Sequence, residues 1–211
     1  MNNEQPGTNS LLRKGIQMRA ICILACVCVG LISARLVAAD ISPPFGVDTF
    51  AGYAGRGSKN GTGEAAMFNT PNGLAVDGAG VIYVADTDNS TIRRITSSGV
   101  VTTWAGVAGV DGVNNGPGTM ARFNRPYGIA AKADGTLFVA DTASNLIRQI
   151  TPAGEVTTLA GSVGQTSLTN GTGTAASFNL PTGLAYDAAN GGVLYIADTG
   201  NKVIRKIASG A

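Results

Sequence analysis

An aspartate and an arginine recur at a fixed spacing three times in this chain. The pairs are Asp86 and Arg93, Asp141 and Arg148, and Asp198 and Arg205. A carboxylate can act as a general acid or base or as a metal ligand, and a guanidinium can bind an anion. Catalysis requires such groups to converge in one pocket, whereas a pair that recurs once per repeat is spread over the fold. The spacing therefore favours structural ion pairs, in which a partly buried aspartate accepts bonds from a turn and from the arginine.

Residue types that many enzymes require are absent or confined to one end of the chain. Histidine is absent, which excludes Ser/His/Asp and Cys/His nucleophiles, histidine-bound zinc and a histidine pH switch. The three cysteines, Cys22, Cys26 and Cys28, share one apolar run near the N-terminus. Removal of that run leaves no thiol for catalysis, a disulfide or a metal site. We therefore expect no cofactor and no metal.

The first 39 residues have the pattern of a targeting segment. Basic residues precede an apolar run over 20–33, and Val37, Ala38 and Ala39 offer a small-residue cleavage site. The apolar run of about 14 residues is shorter than the roughly 20 that a membrane-spanning helix needs. We expect a cleaved signal peptide over 1–39 and a secreted, periplasmic or extracellular product. An uncleaved membrane anchor is the alternative, and Met18 offers an alternative start.

The remaining residues carry a nearly balanced charge. After residue 39 there are 11 basic and 12 acidic residues, which gives a net charge of about −1. Binding to the phosphate backbone of nucleic acid requires a strongly basic surface. We therefore expect no nucleic acid partner, and contact with a membrane only if residues 1–39 stay attached.

A repeat with a period of 55 residues dominates the rest of the chain. Its copies begin at Phe68, Phe123 and Phe178, and each continues with Pro-x-Gly-[Leu/Ile]-Ala, [Tyr/Phe]-[Val/Ile]-Ala-Asp-Thr and Ile-Arg. The second strand-like run of each copy is apolar almost throughout, so both faces of each sheet should be covered, as in stacked propeller blades. In the first copy, turn residues separate four strand-like runs, 73–76, 81–86, 91–96 and 100–105.

This set of motifs resembles the NHL repeat, the blade unit of NHL β-propellers. The resemblance covers residues 47–207 and implies an all-β fold of three four-stranded antiparallel blades in a region over 40–211. The repeats are placed at about 47–104, 105–159 and 160–211. Propellers of this family commonly have six blades, so three blades imply an incomplete ring or half of a six-bladed assembly. The glycine after each proline is interpreted as a close-approach or positive-φ position.

The two ends of the repeat region bear on how the ring closes. The run 47–52 resembles the fourth strand of a blade, whereas the last copy ends after its third strand. Three alternatives remain open. The chain is a fragment of a longer propeller, or a homodimer in which each first run completes the other chain's last blade, or three blades that stand alone.

The long segments between blades are the expected ligand-binding surface, because extended loops are often functional. Strand direction places them on the same side of the disc as the turns after each Asp-Thr, and their side chains differ between copies. The candidate ligand-binding residues are Arg56, Lys59, Asn115, Arg122, Arg125 and Tyr127. Candidate N-glycosylation acceptors, relevant in a eukaryotic host, are Asn60, Asn89 and Asn170.

Two functions fit this pattern. One is a non-catalytic binding or scaffolding module outside the cytoplasm that engages a protein or glycan through the long segments between blades. The other is a fragment of a six-bladed hydrolase that resembles metal-dependent lactonases. The runs expected to line the channel, GLAV, GIAA and GLAY, contain no acid or amide for a metal, and only Tyr186 offers a hydroxyl. The sequence therefore favours binding, although a fold does not by itself determine function.

Overall fold

The computed structural model describes residues 46–208, and within that range the chain folds into β-sheets without an α-helix. The expectations for the segment 1–39, for the three cysteines and for a start at Met18 concern residues outside the described range. Across 46–208, no helix has the length and apolar character needed to cross a membrane.

The described residues form thirteen strands in three sheets, which we name blades 1, 2 and 3 in chain order. Blade 1 contains β1 (Gly61–Thr62), β2 (Pro71–Val76), β3 (Ile82–Asp86), β4 (Thr91–Ile95) and β5 (Val100–Gly106). Blade 2 contains β6 (Gly116–Pro117), β7 (Pro126–Ala131), β8 (Leu137–Asp141), β9 (Leu146–Ile150) and β10 (Glu155–Ala160). Blade 3 contains β11 (Pro181–Asp187), β12 (Val193–Asp198) and β13 (Val203–Ile207).

All strand pairs within the blades are antiparallel. The order is β1-β5-β4-β3-β2 in blade 1, β6-β10-β9-β8-β7 in blade 2 and β11-β12-β13 in blade 3. Strands β2 to β5 begin and end within two residues of the four runs that the sequence indicates. The all-β bladed fold is therefore confirmed.

The number of strands in each blade differs from the expected four, and the difference lies at the outer edge of the blade. In blades 1 and 2 the long segment before the first strand contributes a two-residue strand, β1 or β6, that pairs with the fourth strand of the same blade. The segments between blades are therefore partly ordered by sheet pairing. Blade 3 has no fourth strand within the described residues.

Five short 3-10 turns connect these strands. Three follow the second strand of each blade, at Thr87–Asn89, Thr142–Ser144 and Thr199–Asn201. Two lie in the long segments, at Gly63–Ala65 and Gly173–Ala175. The residue after each turn that follows a second strand has a left-handed backbone conformation, which lets the chain reverse into the third strand. These residues are Ser90, Asn145 and Lys202.

The cores lie between the blades. Tyr83, Ala85 and Ile92 on one face of blade 1 pack against Ile129 and Val139 on the facing side of blade 2. The other face of blade 2 packs against blade 3 in the same way. Because blade 2 is covered on both faces, its second strand β8 needs apolar side chains on both sides, which explains the continuous apolar sequence of β8.

In blades 1 and 2 the glycine after the proline allows the next blade to approach closely. A Cβ on Gly73 would lie 2.2 Å from the carbonyl oxygen of Tyr127, and a Cβ on Gly128 would lie 1.9 Å from that of Thr182. Neither glycine has a positive φ. Of the two interpretations of these glycines, the close approach is therefore the one that the structure shows.

Candidate functional site

The recurring aspartates and arginines pair within each blade. Their N–O distances are 2.9 Å in blade 1, 3.0 Å in blade 2 and 3.1 Å in blade 3. Both side chains are fully buried in blades 1 and 2, whereas the arginine of blade 3 is 12% exposed. The second and third strands lie side by side, so each arginine extends along its sheet to reach the carboxylate at the strand end.

Each pair is held by further hydrogen bonds. In blade 2, the other oxygen of Asp141 accepts a bond from the backbone N–H of Asn124 at 2.7 Å. Arg148 donates to the carbonyl oxygens of Arg122 and Asn114 and to Oδ1 of Asn115. Its guanidinium also lies 5.3 Å from the centre of a phenylalanine ring. The pair therefore ties the long segment to the sheet, and the one polar atom that it leaves without a hydrogen bond, Nε of Arg148, is buried.

The carboxylate of Asp141 lacks one donor that its counterparts have. Asn89 and Asn201 each donate a side-chain bond to the aspartate of their blade, at 2.8 and 2.9 Å. The equivalent residue in blade 2 is Ser144, whose shorter, buried side chain makes no hydrogen bond of good geometry and has only a weak effect on the carboxylate. Burial raises the pKa of Asp141 to about 6, against the opposing effects of the Asn124 N–H, of Arg148 and, least of all, of the Ser144 hydroxyl.

Replacing Ser144 with asparagine should supply the missing donor. The raised pKa means that the folded chain binds the proton more tightly than the unfolded chain, so the carboxyl's contribution to stability is lost as pH rises through about 6. A donor to the ionised carboxylate lowers this pKa, and we expect Ser144→Asn to raise the free energy of unfolding by roughly 1 kcal/mol at pH 8. At about pH 4 the carboxyl of the folded chain is protonated and needs no further donor, so the gain should vanish there.

Urea unfolding at pH 4 and pH 8 checks this expectation. Asn89→Ser in blade 1 is the reverse control, because it removes the equivalent bond to Asp86, and it should destabilise the chain at pH 8. An equal effect of Ser144→Asn at both pH values would contradict the assignment.

The long segments and the turns after the second strands share one side of the blades, as strand direction predicts. Gly109 N donates to the carbonyl oxygen of Asn89 at 3.1 Å, and the hydroxyl of Ser90 bonds to Asp111 at 2.5 Å. We call this side the loop face, formed by residues 53–60, 67–70, 87–90, 107–115, 119–125, 142–145, 162–170, 174–180 and 199–202; the outer strands β1 and β6 run along the sheet edge to the beginning of the fourth strand.

The candidate ligand-binding residues divide into two groups on this face. Asn115 accepts the bond from Arg148, and Arg122 donates to three carbonyl oxygens of its own loop, so both support the loop structure. Arg56 and Lys59 are exposed, and their side chains make no ion pair or hydrogen bond within residues 46–208.

Arg125 and Tyr127 lie at the boundary of blades 1 and 2. Arg125 makes an ion pair with Asp88 at 3.1 Å and keeps 62% of its side chain exposed, and Tyr127 is 42% exposed. Thr70 also bonds to Asp88. Neither Arg125 nor Tyr127 makes a hydrogen bond or an ion pair with Arg56 or Lys59. The four exposed candidates therefore do not form one bonded cluster.

Two of the three glycosylation candidates are exposed. Asn60 and Asn170 lie on the surface and use only their Oδ1 atoms, as acceptors from Arg93 and Arg205. Asn89 is 8% exposed, and its Nδ2 donates to Gly57 and to an aspartate. A glycan on Asn89 would break both bonds.

An open groove lies beside β13, where the sequence indicates that the last copy has no fourth strand. It has a volume of about 670 Å³ and is lined by β13 on one side and by Gly171 and Thr172 on the other. The repeated Asn-Gly-x-Gly segment signals it, because the same segment forms the outer strand in blades 1 and 2. A two-residue strand has no hydrophobic alternation, so its pairing could not be read from pattern.

Over residues 46–208, no three histidine, cysteine, aspartate or glutamate side chains lie close enough together to hold one metal ion.

Known proteins are similar to the chain in both sequence and fold. Residues 68–95 match the family model of the NHL repeat. The human NHL repeat-containing protein 2 is 32% identical over 173 residues, which cover 72% of this chain and 23% of that protein. The chain thus spans about a quarter of the length of the curated relatives that it matches over most of its length.

Two solved bacterial structures are similar. A protein of unknown function from Bacteroides thetaiotaomicron is 31% identical, with a TM-score of 0.57, over 61% of this chain and 32% of that one. An auxiliary nutrient binding protein from Bacteroides ovatus is 25% identical, with a TM-score of 0.58, over 69% of this chain and 38% of that one. The recognition of the NHL repeat is therefore confirmed: the first copy of the motif set matches the family model, the chain is similar to NHL repeat-containing proteins, and its three copies fold as three similar blades.

Proposed function

We propose that the chain is a non-catalytic binding module that acts outside the cytoplasm and engages a protein or glycan ligand through the loop face. The observation that carries this proposal is the division of polar groups between two roles. The repeated aspartates and arginines form ion pairs within each blade, so they are not available to a ligand. The polar side chains that differ between repeats, among them Arg56, Lys59 and Arg125, are exposed on the loop face.

The charge of these exposed groups favours an anionic ligand. Arg56 and Lys59 lie in one loop, and Arg125 is largely exposed despite its ion pair with Asp88. Arginine recognises carboxylates and sulfates through paired hydrogen bonds. The nutrient-binding name of the Bacteroides ovatus structure supports a binding role without identifying a ligand.

Self-association is part of the same proposal. The outer faces of blades 1 and 3 leave large apolar side chains exposed, including Leu74, Val76 and Ile204. Exposed apolar patches of this kind mark interaction surfaces. A second copy of this chain, as in a homodimer that completes a six-bladed ring, is therefore a proposed partner.

An affinity measurement with polygalacturonate, an acidic polysaccharide, tests the binding role, with neutral galactan as the uncharged reference. We expect binding to polygalacturonate that weakens at least tenfold in the double variant Arg56→Ala/Lys59→Ala. Ser97→Ala, on an exposed turn of the opposite side, should leave the affinity unchanged. Binding that the double variant retains in full, or equal affinity for galactan, would contradict the proposed surface.

An activity screen addresses the hydrolase alternative. The wild-type chain is incubated with lactones and phosphoesters in the presence of calcium. Turnover that depends on the metal would overturn the non-catalytic proposal.

A further inference from the structure

A cavity lies between blades 2 and 3, towards the side of the blades opposite the loop face. Its volume is about 320 Å³, at the lower end of the roughly 300 to 1,000 Å³ that is typical of small-molecule sites. Blade 2 contributes Lys132, Phe138, Gln149 and Leu159 to its wall, and blade 3 contributes Tyr186. We call it the blade 2–3 cavity. Because it is separate from the loop face, a ligand here is a function beyond the proposed one.

The equivalent positions in blade 1 form a cluster in which each side chain has a partner. The hydroxyl of Tyr83 donates to Asp77 at 3.3 Å. The ring of Tyr83 meets the ring of Trp104 edge to face, with 6.3 Å between their centres. The guanidinium of Arg94 lies 5.7 Å from the centre of the Trp104 ring. Trp104 packs against the core between blades 1 and 2, so a large side chain occupies this gap.

In blade 2 all four positions carry a different residue type, 55 residues further along the chain. Lysine at 132 replaces an aspartate, and phenylalanine at 138 lacks the tyrosine hydroxyl. Glutamine at 149 replaces the arginine, and leucine at 159 is much smaller than the tryptophan. The four differences together exchange a self-contained polar cluster for a cavity with a cationic wall.

The ammonium group of Lys132 has aromatic neighbours but no anionic partner. Its Nζ lies 5.7 Å from the centre of the Phe138 ring and 5.4 Å from that of Tyr186. Within residues 46–208 it forms no ion pair. The nearest acid along the chain, Asp134, is exposed and accepts a bond from the Thr136 N–H. A cation held against two rings keeps its N–H donors available to an anion.

The wall of blade 3 has features that only the third repeat shows. Tyr186 stands where the first two repeats have Val76 and Ala131, and the hairpin that follows it is two residues longer. A Cβ on Gly192, in this hairpin, would lie 2.8 Å from the hydroxyl oxygen of Tyr186. Gly192 therefore makes room for the tyrosine. The Tyr186 ring lies 5.4 Å from the ring of Phe138, centre to centre, at an interplanar angle of 35°.

We propose that the blade 2–3 cavity binds a small aromatic carboxylate. The carboxylate accepts charge-assisted hydrogen bonds from Lys132 Nζ and a further bond from the amide of Gln149. The ring of the ligand packs against Phe138 and Tyr186, since aromatic rings associate in offset or edge-to-face arrangements. Lys132 is the one charged residue among the described residues of the wall. A single positive charge matches one carboxylate better than a doubly charged phosphate.

Isothermal titration calorimetry of the whole chain with phenylacetate tests the proposal. Two reference compounds separate its parts: phenylacetamide has the ring without the charge, and acetate has the charge without the ring. We expect phenylacetate to bind at a single site and both references to bind roughly tenfold more weakly or worse. Lys132→Met keeps the length of the side chain and should weaken phenylacetate binding roughly tenfold or more. Lys206→Met removes a positive charge from an exposed position outside the cavity wall and should change nothing.

A double variant closes the cavity without introducing a packing that the fold lacks. Leu159→Trp together with Tyr186→Ala reproduces the combination of Trp104 with Ala131 found between blades 1 and 2. We expect a wild-type circular dichroism spectrum, cooperative unfolding and loss of phenylacetate binding. The proposal is overturned if wild type does not bind phenylacetate or binds phenylacetamide equally well. Full affinity in Lys132→Met or in the double variant would overturn it as well.

Discussion

Replacing Arg148 with methionine is expected to lower the free energy of unfolding by about 3–5 kcal/mol. Removing one partner of a buried ion pair leaves the other charge without compensation in a low-dielectric interior, and this loss exceeds the net value of the pair. Here the uncompensated group is Asp141, whose side chain is fully buried. The carbonyl oxygens of Arg122 and Asn114 and the Oδ1 of Asn115 lose a donor as well. Urea unfolding monitored by circular dichroism measures the loss.

The same substitution in blade 3 is the matched control. Arg205 makes the equivalent contacts, but its side chain is 12% exposed and lies at the open end of the structure. Water can therefore solvate Asp198 after Arg205→Met, and we expect a clearly smaller loss. Equal losses at the two positions would show that burial does not set the cost of breaking these pairs.

Gly128→Ala should separate two blades that the native chain holds in contact. The new Cβ would lie 1.9 Å from the carbonyl oxygen of Thr182 and 3.0 Å from its carbonyl carbon. These atoms belong to the backbone of the neighbouring blade, so the clash cannot be relieved by a side-chain rotation. Overpacking of this kind costs about 3 kcal/mol, and we expect a fall of that size in the free energy of unfolding.

Gly183→Ala is the control for this prediction, measured at a concentration where the chain is monomeric. Its nearest contact would be Ala197 Cβ at 3.5 Å, an ordinary van der Waals distance. Both substitutions replace the glycine of a Pro-x-Gly motif in a first strand. The effect of alanine on the backbone freedom of the unfolded chain is therefore similar in both. A loss of stability in Gly183→Ala equal to that in Gly128→Ala would mean that strand conformation, and not blade contact, requires the glycine.

Much of the fold could be predicted because local patterns specify it. The apolar second strands and the turns at Asp-Thr define where β3 and β8 lie, since strand propensity and turn chemistry depend on neighbouring residues. The pairing of Asp86 with Arg93 followed from the same information, because a short turn between antiparallel strands brings their ends together. The side of the blades that carries the long segments followed from strand direction alone.

The contacts of the long segments could not be predicted. Asn115 and Arg122 have the composition of exposed loop residues, yet the fold uses them to bind Arg148 and loop carbonyls. Their roles depend on where a 20-residue segment crosses its own blade, which local sequence does not encode. The strands β1 and β6 are two residues long, and only the edge of the fourth strand gives them a partner.

The sequence by itself determined that this protein is a series of antiparallel blades with one aspartate–arginine pair in each, because repeated local patterns dictate strands, turns and buried faces. Tertiary structure decided which polar side chains remain exposed and which of the glycines after the prolines lie against a neighbouring blade. Those properties arise from contacts between blades, which are far apart in sequence and depend on how the sheets pack.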